Sequence, residues 1–483
     1  MNRERAPGLA AAAAALGAVW LLHAGVHRAP FTPFSAAEWL VRRTPGGVAT
    51  RAIDLLGHGA LDILMALSVI AVVVLGYAAG RARPAVLGGV AFVLGTAAGA
   101  VDPMRPPFLY VVLSGAVGAI VAVLAADLAG VRAGSEPDAS RRRLAGGIAL
   151  GAGAVVLGGL AVVRALAKDA VAAAVRIDRP ARVPADADFH APAGLTPRLT
   201  PTRDHYTVDI DLIDPSIGAE SYELRVGGEV ARELTLSLAE LRAMPTVEQV
   251  TTLACISNPV GGELISTARW TGVRMRELLA RAQPKPRAMF VEAKAADGYI
   301  ESFPMDLVMR DEFLAAFGMN GTLLPRAHGF PVRLIVPGRY GMKNVKWVTD
   351  LIVRATDITG YWEVRGWDAK AVIRTESRFD VPNDGAEVGP RFAAGGIAWA
   401  GDRGVASVQV TTDGGRTWRE AALERAASAL SWRRWHLEVR LPNGEWTLQC
   451  RAVDGAGDVQ DAASRPPHPS GASGYHTITV RVR

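Results

Sequence analysis

Cys255 follows the run Thr251-Thr252-Leu253-Ala254 and precedes Ile256-Ser257-Asn258-Pro259-Val260-Gly261-Gly262. The β-branched, apolar run predicts a strand and the Asn-Pro-Val-Gly-Gly stretch a tight turn, so one sulfur is held at a loop edge. A thiolate placed there serves as a soft metal ligand or as a nucleophile, for which His328 is the candidate base. The other cysteine, Cys450, sits in the alternating strand pattern Leu448-Gln449-Cys450-Arg451-Ala452 and reads as an inert buried thiol. A second group lies in the apolar first third. Asp54, His58 and Asp62 share one helix face, and His23 and His27 recur at a similar predicted depth. Such groups suit a proton- or quinone-linked face and paired histidines suit a haem, but solvated polar residues at an interfacial helix end are the simpler account.

The elements that must position these residues follow from composition. A chain of 483 residues has room for about three domains. Half the residues are hydrophobic, with the excess in the first third, and the net charge of +6 is spread along the chain. With no basic block interleaved with aromatics, nucleic acid is excluded as a partner. Two cysteines exclude a disulfide framework, and the lack of C-x-x-C disfavours a zinc ribbon or an attached c-type haem. Five apolar segments (9–26, 53–79, 84–101, 108–131 and 144–166) predict an N-terminal α-helical transmembrane bundle over 1–170 in a lipid bilayer. The Lys/Arg bias then places the N-terminus inside and all that follows on the extracytoplasmic side. Residues 171–202, rich in Pro, read as an extended linker. Residues 203–375 mix strands with short helices: Ser237 begins a capped helix, Met275–Ala282 continues helically, and Pro331–Val336 is a buried strand, which suits an α+β domain. Residues 376–483 carry short alternating strands around an Asp413-Gly414-Gly415 hairpin turn and predict an all-β immunoglobulin-like sandwich.

The block His328-Gly329-Phe330-Pro331-Val332-Arg333-Leu334-Ile335-Val336-Pro337-Gly338, continued by Gly341-Met342-Lys343-Asn344-Val345-Lys346-Trp347, resembles the signature of the sulfite oxidase superfamily of molybdopterin enzymes. Trp270-Thr271-Gly272-Val273 and the Cys255 segment resemble two further motifs in the same order. The resemblance covers roughly residues 200–483 and implies a molybdenum ion held by one pterin dithiolene and by Cys255. It implies cofactor contacts from Asn258, Asp297, His328, Arg333, Lys343, Asn344 and Lys346, and from the looser stretch Arg203, His205 and Tyr206. Arg333 presents a planar fork suited to the pterin phosphate. The C-terminal sandwich is then a dimerisation domain, and electrons leave through a separate haem- or quinone-linked partner. Sulfite oxidases follow their cysteine with Gly-Asn-Arg-Arg where this chain has Ser257-Asn258-Pro259-Val260, and Trp367 stands near their active-site tyrosine. Arg269, Arg339, Tyr340 and Trp367 are the expected substrate-side residues. A pocket poorer in cations and richer in aromatics implies two-electron oxygen-atom transfer on a small substrate other than sulfite.

Overall fold

The computed structural model describes residues 186–210 and 214–483, together with helical stretches at 11–19, 67–75 and 116–123 and isolated helical positions between them. The expected transmembrane bundle is corrected by these coordinates. Among the described residues no helix is long and apolar enough to cross a membrane. The described stretches of the first third hold nine residues or fewer, whereas a span needs about 20. Hydropathy reports how apolar a segment is, and it does not by itself require one unbroken helix. His23, His27, Asp54, His58 and Asp62 lie outside the described residues.

Two sheets build the α+β part. In the first, β1 (Glu223–Gly228), β2 (Leu234–Ser237), β5 (Phe290–Ala295), β6 (Ile300–Pro304) and β10 (Val348–Arg354) run in the order β2-β1-β10-β5-β6. β1 and β10 pair in parallel, and their alternating Leu224, Val226, Leu351 and Val353 bury one face. The expected cap is present. Ser237 Oγ accepts from Glu240 N–H at 3.2 Å and Glu240 Oε2 accepts from Ser237 N–H at 2.8 Å, starting α1 (Leu238–Ala243).

The second sheet runs β3-β4-β7-β8, from β3 (Val247–Ala254), β4 (Ile265–Arg274), β7 (Leu314–Met319) and β8 (Thr322–Leu323). A short strand, β9 (Arg333–Ile335), pairs with β7, setting Arg333 opposite Ala316. Between β4 and β5 lies α2 (Met275–Ala282), whose Met275, Leu278, Leu279 and Ala282 are buried on one face, the i, i+3, i+4, i+7 pattern of an amphipathic helix.

The C-terminal part is a sandwich of two sheets. One orders β11 (Glu376–Val381), β13 (Arg391–Trp399), β17 (Arg433–Arg440) and β16 (Ala422–Leu423) as β11-β13-β17-β16. The other orders β12 (Ala386–Val388), β19 (His476–Val482), β18 (Gly444–Asp454), β14 (Val405–Thr411) and β15 (Arg419–Glu420) as β12-β19-β18-β14-β15. Phe379, Ala394 and Trp435 from the first face Val408, Leu448, Cys450 and Ile478 from the second across one core. Asp413 accepts from Thr417 N–H at 3.0 Å and fixes the hairpin joining β14 to β15.

Candidate active site

The pairing of β3 with β4 decides where the sulfur sits. Their register ends at Ala254 opposite Ile265, which forces residues 255–264 out as a loop. Three bonds shape it. Cys255 N–H donates to Leu264 O at 2.9 Å, Asn258 N–H to Cys255 O at 3.1 Å, and Leu264 N–H to Asn258 Oδ1 at 2.9 Å. Asn258 therefore shapes the cysteine loop. Cys255 is buried, and its Sγ lies 3.0 Å from Ser257 Oγ, a hydroxyl able to donate to a thiolate. No disulfide joins it to Cys450. Burial pushes the Cys450 thiol up to about 12, as an inert packing residue requires.

A wall of basic side chains continues from the sulfur. Tyr206 links the two: its buried hydroxyl feels both the Cys255 sulfur and the Arg333 guanidinium. A Cβ added to Gly341 would come within 2.6 Å of that hydroxyl, so the Gly341 turn passes where only a glycine fits. Behind Tyr206, the His205 ring meets Trp270 and His328 edge-on at 5.6 and 5.2 Å. Its Nδ1 lies 3.1 Å from Tyr206 O and carries the proton in that pairing. His328 Nε2 lies 3.0 Å from Thr202 O and donates to it. Arg333 is buried, 4.9 Å over Trp270, and donates to His328 O and Asn344 O at 3.2 Å each. Lys346 Nζ donates to Ala327 O at 3.1 Å and lies 4.3 Å over Trp347.

Electrostatics mark this wall as built for an anion. Burial, then His328 and Arg333, push His205 well below its usual range. Burial, then Arg333, push His328 down to about 4. Burial lowers Arg333 to about 10 and Lys346 to about 7. Each group resists its charge because of desolvation, and the neighbouring Arg333 helps keep both histidine rings neutral. Two buried atoms here, His205 Nε2 and Arg333 Nε, lack a hydrogen-bond partner. Orphans of this kind mark an acceptor or donor that a ligand completes. The sulfur at one end, the cations at the other and the orphans between them fit a molybdenum ion on an anionic pterin. The geometry also removes the cysteine-hydrolase reading: His328 is engaged with Thr202 and is a poor base.

Comparison with known proteins agrees. Residues 210–362 match the oxidoreductase molybdopterin-binding domain and residues 362–466 the Mo-co oxidoreductase dimerisation domain. The chain is 34% identical over 343 residues to sulfite oxidase of Gallus gallus, covering 60% of this chain and 73% of that protein. The chain belongs to the sulfite oxidase family of molybdopterin-dependent oxidoreductases. It is 33% identical over 315 residues to mitochondrial sulfite oxidase of Rattus norvegicus, covering 55% of this chain and 57% of that protein. The crystal structure of sulfane dehydrogenase SoxCD from Paracoccus pantotrophus superposes with a TM-score of 0.52 at 24% identity, over 61% of this chain and 89% of that one, a likeness of fold. This family membership makes the chain an oxidoreductase and gives the cofactor as molybdenum-molybdopterin. Cys255 would hold the metal, and Arg333, His205, His328 and Lys346 the pterin and its phosphate.

The other expected site residues are engaged in contacts of their own. Lys343 is turned away from the wall: its Nζ is 2.7 Å from both Glu301 Oε1 and Glu363 Oε1, in a buried triad. Asn344 is a structural pin, accepting from Val336 N–H at 2.8 Å and donating to Tyr340 O at 3.1 Å. Asp297 caps its turn, accepting from Tyr299 N–H at 2.9 Å. Arg203 is exposed beside Asp204. Arg269 Nε lies 3.8 Å from Glu248 Oε1. Arg339 donates to Gly338 O at 3.2 Å. Tyr340 and Trp367 belong to one aromatic core with Trp399, where Trp367 meets His468 edge-on at 5.0 Å. Sequence reasoning missed Ser257, two residues past the cysteine, although Cys-x-Ser spacing at a turn could have pointed to it. It also missed Glu301, Glu363 and Glu376, since carboxylates drawn from distant elements leave no local signal.

Glu376 gives a measurable pH dependence. Tyr340 Oη donates to its Oε1 at 3.2 Å, and Arg374 and Arg378 favour its ionised form, yet burial pushes its carboxyl from 4.5 up to about 8. Between those two values the folded chain binds more protons than the unfolded chain, so stability falls as pH rises from about 5 to about 8 and levels off above. The difference in urea midpoint between the wild type and Glu376→Gln is expected to change across that range, with the wild type losing ground as pH rises.

Proposed function

We propose that this chain catalyses two-electron oxygen-atom transfer on a small substrate that is not a strong anion. The observation that supports this reading is the Cys255 loop joined through Tyr206 to a buried cationic wall with two orphaned atoms. When bound, the molybdopterin group supplies the redox and oxygen-transfer chemistry. The chain's own residues do the rest. Cys255 offers one sulfur at a fixed height, set by the Leu264 and Asn258 bonds. Arg333 and Lys346 balance anionic charge in a dry site, where such pairing is strong. Trp270, buried against the Arg333 guanidinium, excludes water there.

The substrate reading rests on Pro259 and Val260, which follow Asn258 where sulfite oxidases have two arginines. Without those cations, sulfite loses an electrostatic attraction worth orders of magnitude in encounter and binding. Electrons leave to a separate haem- or quinone-linked carrier, and the dimerisation-type domain pairs two copies of the chain. The deciding experiment on function is metal and pterin analysis of protein from molybdate-replete cells, with a search for a Mo(V) signal and a screen of S-oxides, N-oxides and sulfite. Molybdenum with turnover of a neutral oxide is expected. Loaded enzyme that prefers sulfite overturns the substrate reading, and protein lacking molybdenum and pterin overturns the whole.

A further inference from the structure

The C-terminal sandwich holds the cysteine loop at both of its ends. Upstream, three residues before Cys255, Thr252 N–H donates to Leu430 O at 3.0 Å and Thr252 Oγ1 accepts from Trp432 N–H at 2.7 Å. Downstream, Arg378 on β11 reaches across with its whole fork. Nη1 donates to Gly262 O, Nη2 to Thr196 Oγ1 at 3.1 Å, and Nε to Asp380 Oδ1 at 2.9 Å. Beside it the His476 ring, at the start of β19, is laid against Gly261. A Cβ at Gly261 would come within 2.4 Å of His476 Nε2, and Gly261 itself has φ +80°, so the close approach uses both freedoms of glycine. The ring is fixed in turn by its Nδ1, which accepts from Phe379 N–H at 2.9 Å, one residue along β11 from Arg378.

These attachments matter because the loop does not close completely against the sandwich. Between them lies a recess of about 20 Å³, lined by Asn258, Val260, Gly262, Glu376, Ile397 and Trp399. Where packing is incomplete, polar bonds at the ends of a loop help decide where its sulfur stands.

From this geometry we infer that Arg378 and His476 are positioning residues, which set the height and exposure of Cys255 from the neighbouring domain. The inference rests on Cys255 being the reactive sulfur of the site, and it does not require the metal to be present. Losing Arg378 leaves Gly262 O without its donor, while Thr196 N–H stays on Asp380 Oδ2 at 3.0 Å, so the loss falls on the downstream half of the loop and loosens it. The sandwich thus tunes the metal-ligating sulfur as well as carrying the dimerisation-type fold.

The test uses the full chain from cells grown without molybdate and reads alkylation of Cys255 by peptide mapping, with buried Cys450 as the internal reference. Arg378→Ala is expected to raise the Cys255 rate about tenfold or more, the signature of a lowered local opening energy. His476→Ala is expected to act in the same direction, and it supplies the answer should Arg378→Ala fold poorly. Leu441→Ala, at the opposite end of β13 and β17 from the recess, controls for general loosening of the sandwich. Unchanged Cys255 rates in both loop-contact variants, or an equal rise in Leu441→Ala, overturn the inference. In loaded enzyme the same variants are expected to lower kcat with little change in KM and to alter the Mo(V) signal. Faster alkylation in protein that never takes up molybdenum would leave this inference standing and defeat the functional reading.

Discussion

Cys255→Ser is expected to abolish turnover while leaving the fold intact. The loop around residue 255 is shaped by backbone bonds to Leu264 and by the Asn258 side chain, none of which uses the sulfur. Serine is smaller and keeps a hydrogen-bonding atom near Ser257, so unfolding midpoints should move little. Its hydroxyl is a hard, protonated ligand at neutral pH where the thiolate is soft and charged. Losing a residue that only supports a metal ligand costs about 10–100-fold. Losing the ligand itself should cost well beyond that, read as turnover per chain and as loss of the Mo(V) signal. An active serine variant would show that the sulfur is not a ligand.

Arg333→Met should separate cofactor retention from stability. Arg333 is buried over Trp270 and donates to two backbone carbonyls, yet its Nε has no partner. Without an anion nearby, its charge is held against desolvation. Removing it from the cofactor-free chain should therefore leave the thermal midpoint unchanged or raised. In the loaded enzyme it removes the counter-charge of a buried anion, which costs about 2–5 kcal/mol, or roughly 30-fold and more in retention. Arg333→Lys should not restore it, because an ammonium cannot span both carbonyls and the ligand. Molybdenum content per chain, set beside the melting curve of the unloaded protein, gives the result. A parallel fall in both would mean that Arg333 is merely structural.

Much of this site was legible in the sequence. Cys255 stood out through a strand-then-turn pattern, and the structure places it at the end of β3 on the loop that the Asn-Pro-Val-Gly-Gly stretch predicts. His205 and Tyr206, on a loosely matching stretch, lie in the wall, where the two rings stack on each other and His205 meets Trp270 edge-on. Lys343 shows the limit. Its neighbour Lys346, three positions on, faces the wall, while Lys343 follows a 3-10 turn at Gly341–Lys343 that aims it at Glu301 and Glu363. Residue type and spacing do not reveal such a turn. The two strand-rich regions were readable from alternation and hairpin chemistry. The apolar first third misled, since hydropathy alone implied spans that the described residues do not contain.

The orphaned atoms of His205 and Arg333 have a consequence for the life of the protein in a cell. A newly made copy that has not met its cofactor carries desolvated charge and unmet bonds at the centre of its catalytic domain. Loading quenches both at once, so the filled protein gains stability in proportion to how tightly it binds. Empty copies open more often around this wall and expose their backbone to proteases. Degradation then selects against molecules that lack the metal, and under molybdate starvation the amount of this protein should fall even where its messenger does not.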